Sequence, residues 1–229
     1  MSSVLVTGAS RGIGLEFVRQ YAADGWRVFA TCRKPGEATA LQELARAQAQ
    51  LSVHPLEVGN SGSVKALAAE LASESIDLLI NNAGVIGPRR QGFGETDYGA
   101  WEDALRVNLI GVMQICEALV ENVARSEKKT MVAITSGMGS ISDSGGGSYV
   151  YRTSKAALNM LMHNIGVDLK SRGVISVVIN PGWVKTDMGG SGARLEVHQS
   201  VGAMRKVFSN LTLADTGKFL NYNGGSYAW

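Results

Sequence analysis

The chain opens with a short apolar strand, a glycine-rich turn and an amphipathic helix, in that order. Residues 4–6 are apolar, and glycines follow at positions 8, 12 and 14. Such a turn lets the backbone approach a pyrophosphate, and the N-terminus of the next helix stabilises the negative charge. The order therefore predicts a dinucleotide site in the first half of the chain. The other interpretation is a tight strand–helix turn that binds nothing, because such turns use glycine as well.

Composition restricts the class of protein. The chain has 229 residues, of which 18% are charged, and a formal net charge of +2. This length fits one domain, residues 1–229, that can bury a large core. The small net charge and the lack of a long basic run argue against a nucleic-acid partner.

The sequence lacks the patterns typical of disulfide, metal and membrane proteins. The two cysteines, Cys32 and Cys116, form no CxxC pair, and the three histidines share no ligand spacing. We expect buried thiols in a reducing cytoplasm and no metal site. No signal peptide is visible, and no apolar run reaches the roughly 18 residues needed to span a membrane. A cytoplasmic protein with no membrane partner is expected.

Short aliphatic runs alternate with longer helix-like segments along the chain. This alternation predicts a parallel sheet with right-handed crossovers. We expect an α/β fold: a single Rossmann-like, doubly wound domain with a seven-stranded parallel sheet and helices on both faces. A substrate loop is expected at about residues 183–202, where the sequence is polar and rich in glycine. The predicted strands are 4–6, 27–31, 51–56, 76–80, 130–135, 175–179 and 217–221, and the predicted helices are 13–23, 37–48, 63–73, 101–124 and 150–171.

The charge that follows the second strand bears on the cofactor. A carboxylate at this point would bind a ribose 2′-hydroxyl and repel a 2′-phosphate. The strand here ends in Thr-Cys-Arg-Lys, with no acid. Arg11 in the glycine turn and Arg33 are placed to bind a phosphate bidentately. NADP(H) is therefore predicted in preference to NAD, and two solvated surface arginines are the other interpretation.

Tyr151 and Lys155 stand four residues apart at the start of a predicted helix, so their side chains share one face. A free tyrosine loses its proton at about pH 10, which is too high for efficient transfer at neutral pH. A nearby ammonium stabilises the phenolate and lowers the pKa of the phenol. The pair predicts a general acid that protonates a carbonyl oxygen while hydride reaches the carbon, or the reverse reaction.

Several motifs together resemble the short-chain dehydrogenase/reductase family, from residue 4 to about residue 187. The chain carries TGxxxGxG at 7–14, NNAG at 81–84, VNLIG at 107–111, a serine after strand five at 136, YxxxK at 151–155 and a PG turn at 181–182. Motifs in this order are specific for the family. The resemblance implies an oxidoreductase that transfers hydride between a nicotinamide cofactor and a small carbonyl compound.

The resemblance also implies roles for the polar residues. Tyr151 is then the general acid/base, and Lys155 lowers its pKa and binds the nicotinamide ribose. Ser136 holds the substrate carbonyl by a hydrogen bond, and Asn108 positions a water that links Lys155 to solvent. Ser136 lies fifteen residues before Tyr151, a longer spacing than is common in the family, so Ser140 is the other candidate.

A cofactor-binding set follows from the same resemblance. Thr186 falls where a threonine of the family contacts the nicotinamide carboxamide. Glu57 and Val58 stand where the family usually has an Asp-Val pair, and the longer glutamate side chain leaves the adenine contact open. The expected cofactor-binding residues are Gly8, Ser10, Arg11, Gly12, Ile13, Gly14, Arg33, Glu57, Val58, Asn82, Ala83, Gly84, Tyr151, Lys155, Pro181, Gly182, Val184 and Thr186.

Segments 135–141, 149–159 and 219–224 resemble the C-factor/sniffer-like subgroup of the family. Its members are NADPH-dependent carbonyl reductases or proteins assigned to cell–cell signalling. Met138, Trp183 and Met188 are expected to give an apolar lining that suits an aldehyde, ketone or quinone, or else to pack under the loop. The long helices of the family often pair between subunits, so a homodimer or a tetramer is expected; their apolar faces can instead be core only.

Three functions compete on these observations. The leading hypothesis is an NADP(H)-dependent carbonyl reductase, because the full set of Asn108, Ser136, Tyr151 and Lys155 is present. The second is an NADP-binding signalling or regulatory protein in which catalysis is incidental. The third is an NAD-dependent alcohol dehydrogenase that works in the direction of oxidation.

Overall fold

Seven parallel strands form one sheet in the computed structural model, which covers residues 1–229. The strand order is β3-β2-β1-β4-β5-β6-β7, and every neighbouring pair is parallel. The predicted doubly wound α/β fold is confirmed. The strands are β1 Ser3–Val6, β2 Arg27–Cys32, β3 Leu51–Pro55, β4 Leu78–Asn81, β5 Thr130–Ile134, β6 Ile175–Asn180 and β7 Phe219–Asn221.

Helices cover both faces of the sheet, and each face has its own apolar core. One cluster of 24 buried residues and another of 22 lie on opposite sides, so neither face is left open to solvent. Side chains alternate along a strand. In β1, Val4 and Val6 therefore enter the first cluster and Leu5 the second. The helices are α1 Gly12–Ala23, α2 Thr39–Ala47, α3 Ser61–Glu70, α4 Tyr98–Leu105, α5 Gly111–Ala124, α6 Tyr149–Asp168 and α7 Val197–Ser209.

The direction of winding reverses between β1 and β4, which are neighbours in the sheet. In the register of this pair, Val4 lies opposite Leu78 and Val6 opposite Ile80. Ligands of open parallel sheets bind in the crevice at the carboxyl ends of the strands at such a reversal. The glycine turn after β1 and the segment 82–84 after β4 both lie there.

The helix predicted at 101–124 contains an irregular turn. α4 and α5 are joined by a π-helical turn, Arg106–Ile110, so that the helical path runs from residue 98 to residue 124. By length and composition this path is apolar enough to cross a membrane, but 44% of its most apolar window is buried within the protein. Ile115, Leu119 and Val123 of α5 lie in the second core cluster, which is the packing of a core helix.

Helix α7 lies where the sequence predicts a loop. The expected substrate loop at 183–202 is too long, because α7 begins at Val197 and only residues 183–196 remain irregular. Val201, Met204 and Phe208 pack on the first core cluster, with Phe208 stacked on Phe17 at 5.8 Å between ring centroids. Burial of this face holds α7 beside α1.

We predict that Gly111→Ala lowers the stability of the fold. A Cβ at this position would lie 2.3 Å from the carbonyl oxygen of Val58, so α5 must move away from the chain that follows β3. Overpacking of this kind costs about 1–3 kcal/mol, or a fall in Tm of roughly 3–10 °C for a chain of this size. Gly145→Ala is the control in thermal denaturation, since nothing lies within 4 Å of a Cβ there, and equal Tm values for the two variants would contradict the packing argument.

Candidate active site

The glycine turn packs directly against the chain that leaves β4. Gly8 has φ +67°, and a Cβ on it would lie 2.8 Å from Cα of Ala83. A Cβ on Gly14 would lie 2.3 Å from the carbonyl oxygen of Gly8. No larger residue fits these two positions without displacing backbone, so the sequence pattern has a steric cause here.

Two polar side chains fix this contact. The Thr7 hydroxyl accepts hydrogen bonds from the backbone N–H groups of Asn82 and Ala83, both at 3.0 Å. The Asn82 side-chain amide donates to the carbonyl oxygens of Thr7 at 2.8 Å and Gly8 at 3.2 Å. The turn and the 82–84 segment are therefore held as one unit.

The start of α1 fits a dinucleotide pyrophosphate. Arg11 is the N-cap residue, and no side chain caps the first N–H groups of the helix. Gly12 has φ +56°, with only Thr186 within 4 Å of an added Cβ. Uncapped N–H groups and the positive end of the helix dipole favour an anion at this point. Ser10, Ile13 and Thr186 lie around the same turn and are half-buried.

The two arginines predicted to bind a 2′-phosphate are both exposed. Arg11 Nη1 lies 3.0 Å from Asp187 Oδ2, and both side chains are more than three-quarters exposed. Arg33 makes no ion pair and follows the end of β2. Sequence patterns do not indicate the Arg11–Asp187 contact, which links the glycine turn to the segment after β6.

The residues after β3 lie where the adenine end of a dinucleotide is expected. Glu57 is exposed, and its backbone N–H donates to the Ser63 hydroxyl at 2.9 Å. Val58 is buried beneath Gly111 of α5. The Glu57 carboxylate is thus free to face solvent or a ligand.

Tyr151 and Lys155 lie on the first two turns of α6 and are both buried, at 8% and 4% exposure. Lys155 Nζ lies 5.8 Å from the centroid of the Tyr151 ring and donates to the carbonyl oxygen of Ile134 at 2.9 Å. A Cβ on Gly84 would lie 3.5 Å from this ammonium. The 82–84 segment therefore lies between the glycine turn and Lys155.

Burial is the largest influence on the pKa of both Tyr151 and Lys155. Burial raises the pKa of the Tyr151 phenol, and the side chain of Ser136 opposes the rise. Burial also lowers the pKa of Lys155 to about 8. The lowering of the Tyr151 pKa by Lys155 stays a prediction, and the spacing of the two residues does not reveal that α6 buries both.

Ser136 follows β5 and faces Tyr151. Its Oγ accepts a hydrogen bond from the backbone N–H of Met138 at 3.1 Å, which leaves the hydroxyl proton available to another acceptor. Ser140, the other candidate, is 2% exposed. Its Oγ pairs with the Ser142 hydroxyl and accepts from the Asp143 N–H. The geometry favours Ser136 as the serine of the site.

Asn108 lies in the π-helical turn and is fully buried. Its Oδ1 accepts from the Val85 N–H at 2.8 Å, and its Nδ2 donates to the Val85 carbonyl and the Ser154 hydroxyl. A π-turn is often found at functional positions, because it re-aims one side chain within a helix. Here it aims Asn108 at the chain that follows Gly84.

Residues expected to line a substrate pocket come from two segments. Met188 Sδ lies 4.0 Å from the Tyr151 hydroxyl, and Met138 follows Ser136. Trp183 is 55% exposed, and its indole N–H donates to the Gly189 carbonyl at 2.8 Å. The second segment starts at Pro181, Gly182 and Val184. The Ser200 hydroxyl of α7 donates to the Pro181 carbonyl at 2.6 Å.

Sequence reasoning missed a buried polar pair behind the site. The Thr135 hydroxyl donates to Asn159 Oδ1 at 2.6 Å, and Asn159 Nδ2 donates to the Gly139 carbonyl at 3.2 Å. Asn159 lies one turn after Lys155 on α6, so its spacing was a usable signal. The pair joins α6 to both ends of the turn that carries Ser136. No group of three His, Cys, Asp or Glu side chains that could hold a metal ion is present.

We predict that burial of the Lys155 ammonium makes stability depend on pH. Its pKa is lowered from 10.5 to about 8 in the folded protein. Below pH 8 Lys155 is protonated in both the folded and the unfolded protein, and the folded protein carries a buried charge. Between about pH 8 and 10.5 only the unfolded state keeps the proton, so this destabilisation is lost as pH rises.

Lys155→Met removes the charge and keeps much of the volume. We therefore expect the Tm of the variant relative to wild type to fall as pH rises from 8 to 10, in thermal denaturation without ligand. Lys65→Met is the control, because Lys65 is exposed on α3 and should give a difference that is flat with pH. A flat difference for Lys155→Met would contradict the burial argument.

Comparison with known proteins agrees with this geometry. The family described as short chain dehydrogenase matches residues 2–194. The structure of an NADPH-bound carbonyl reductase from chicken fatty liver is 38% identical, with a TM-score of 0.93, and covers 100% of this chain and 99% of its own. The carbonyl reductase Sniffer of D. melanogaster is 31% identical, with a TM-score of 0.93 and full coverage of both chains.

One relative has a name that refers to a signal and not to a reductase. The C-signal protein of Myxococcus xanthus is 35% identical over 167 residues, which are 72% of this chain and 100% of the relative. The expected resemblance to carbonyl reductases of the C-factor/sniffer-like subgroup is confirmed. The chain belongs to the short-chain dehydrogenase/reductase family.

Proposed function

We propose that this oxidoreductase is an NADPH-dependent carbonyl reductase acting on an aldehyde, ketone or quinone. The observation that carries the proposal is the convergence of Ser136, Tyr151 and Lys155 beside a glycine turn that fits a pyrophosphate. Likeness to a carbonyl reductase solved with NADPH supports the choice of cofactor and reaction.

NADPH, when bound, would supply the hydride that adds to the carbonyl carbon. Ser136 donates its hydroxyl proton in a hydrogen bond to the carbonyl oxygen and so stabilises the charge that develops there. Tyr151 then transfers its phenolic proton to that oxygen, which completes the alcohol. The raised pKa of the buried phenol keeps Tyr151 protonated before the reaction, as a general acid requires.

Lys155 and Asn108 restore the acid after turnover. The Lys155 ammonium stabilises the phenolate left on Tyr151, and a pKa of about 8 lets the lysine give up a proton near neutral pH. Asn108 Oδ1 has one lone pair beyond the bond from Val85. This acceptor would hold a water beside Lys155 and connect the lysine to solvent.

We predict that Tyr151→Phe lowers kcat for carbonyl reduction by about 10²–10⁴-fold, because the general acid is lost. Absorbance of NADPH with a panel of aldehydes, ketones and quinones gives the rates. Tyr149→Phe is the matched control, since Tyr149 lies on the same first turn of α6. Its ring packs beside Phe93, with the ring centroids 6.3 Å apart. Turnover by Tyr151→Phe equal to that of the control would reject Tyr151 as the acid.

We predict that Arg11→Ala weakens NADPH binding about 10–100-fold and leaves NADH binding nearly unchanged. A guanidinium bond to a phosphate is worth about 1.5–3 kcal/mol, and only NADPH has the 2′-phosphate. Arg33→Ala should act in the same direction. The control is Arg46→Ala, in the last turn of α2, and fluorescence titration measures all affinities. Tighter binding of NADH than NADPH by the wild-type protein would favour the NAD-dependent alternative.

A signalling protein with incidental catalysis is the second candidate, favoured by the likeness to C-signal. The complete set of Ser136, Tyr151 and Lys155 argues for catalysis, because a pure binding protein has no need of it. Tyr151→Phe separates the two: a biological effect that persists without turnover supports signalling, and an effect lost with turnover supports the enzyme.

Assembly and location stay predictions. Ile110, Met160 and Val167 expose apolar side chains on the long helices, which supports the expected homodimer or tetramer. Both cysteines are free and buried, which agrees with a reducing cytoplasm. Light scattering on the purified protein gives the number of subunits.

A further inference from the structure

The last residues of the chain fold back along β7 and reach the active-site side of the sheet. We name residues 222–229 the return segment. Leu220 and Ser226 form an antiparallel bridge, and the Tyr227 N–H donates to the Phe219 carbonyl at 2.8 Å. The direction of the chain is therefore reversed at Asn223–Gly225, and the return segment is fixed by backbone hydrogen bonds.

Two aromatic residues anchor the return segment. The Tyr227 ring stacks on Phe219, with centroids 4.8 Å apart, and Trp229 lies 5.5 Å from Phe219 and 5.6 Å from His163 of α6. Phe219 is 2% exposed and belongs to the second core cluster. The position of Tyr227 is thus set by the core.

The return segment contacts the loop that begins at Ser136. We name residues 137–148 the serine loop. The Tyr227 hydroxyl donates to Asp143 Oδ2 at 3.1 Å, and the Ser142 N–H donates to the Trp229 carbonyl at 2.9 Å. A Cβ on Gly137 would lie 2.4 Å from the Tyr227 oxygen. The phenol therefore lies against the backbone of the residue that follows Ser136.

The exposed part of the serine loop, residues 141–147, has few other contacts. Residues 141–147 are exposed, and Gly145, Gly146 and Gly147 have no atom within 4 Å of an added Cβ. Arg152 of α6 donates to the Gly146 and Met138 carbonyls at 3.1 and 3.4 Å. The start of the loop is held by Asn180, whose Oδ1 accepts from the Gly137 N–H at 3.1 Å, and by the Asn159 bond to Gly139. Arg152 and Tyr227 support the more exposed residues that follow.

We propose that Tyr227 is a positioning residue of the active site. It acts through Gly137 and Asp143 to hold the serine loop so that Ser136 faces Tyr151 and Met138 keeps its place beside the substrate. Tyr227 does not touch the reacting atoms. This inference rests on the proposed function only where turnover is measured, because the order of the serine loop is a property of the protein without ligands.

Hydrogen exchange of the protein without ligands tests the physical part. In Tyr227→Ala, the amides of residues 139–143 should exchange about tenfold faster or more, since the bonds at Asp143 and Ser142 are lost or weakened. Amides of the glycine turn at 8–14 should be unchanged. Protection at 139–143 equal to wild type would overturn the proposal, whether or not the protein reduces carbonyls.

Kinetics test the catalytic part, at a temperature well below the Tm of each variant. We expect Tyr227→Ala to lower kcat about tenfold while Kd for NADPH stays within twofold, because the loop acts on the substrate carbonyl. In a Ser136→Ala background the same change should lower kcat less than twofold, since residues that act through one group are not additive. A full tenfold loss in that background would assign Tyr227 a purely structural role and overturn the proposal.

Milder variants keep the test readable if Tyr227→Ala folds poorly. Tyr227→Phe and Asp143→Ala both remove the hydroxyl–carboxylate bond and should give the same intermediate change in exchange and kcat. Tyr98→Phe is the matched control, because Tyr98 is 72% exposed and lies against Trp101 of α4. A wild-type protein that consumes no NADPH with any carbonyl would refute the proposed function, and hydrogen exchange would still decide the role of Tyr227.

Discussion

The close approach of the glycine turn to the chain that leaves β4 is the contact on which the site depends. Thr7 and Asn82 tie the two segments together, and Gly8 and Gly14 make room for the backbone. The same 82–84 segment lies against Lys155 and Asn108 on its other side. The nucleotide end and the catalytic end of the site therefore share the 82–84 segment. A displacement of one end would move this segment and so displace the other end.

A buried cation at the centre of the site imposes a second constraint. Lys155 has one protein acceptor, the Ile134 carbonyl, and burial lowers its pKa to about 8. A buried charge with so few partners is unfavourable for folding. The arrangement is tolerated because the fold is built around two large apolar clusters, and it places a lysine that can exchange protons next to the phenol.

The fold was largely predictable, because most strands are short apolar runs that alternate with helical segments, and the glycine turn stands between the first strand and the first helix. Ser136, Tyr151 and Lys155 could be chosen from motif and spacing, and the structure brings them together. The direction in which burial shifts the pKa of Tyr151 could not be predicted, because the spacing of residues does not report burial. Helix α7 was missed although Val201, Met204 and Phe208 have helical spacing, because Gly202 and polar neighbours obscure them. The Arg11–Asp187 and Tyr227–Asp143 contacts join distant parts of the chain, and no local pattern indicates them.

The return of residues 222–229 along β7 has a consequence for association. An outermost strand with free N–H and C=O groups is a template for strands of other molecules, and natural sheets protect such edges. The Leu220–Ser226 bridge and the Tyr227–Phe219 hydrogen bond occupy part of that edge. Loss of these residues would expose β7 to intermolecular pairing, so aggregation during refolding is expected to begin at this end of the sheet.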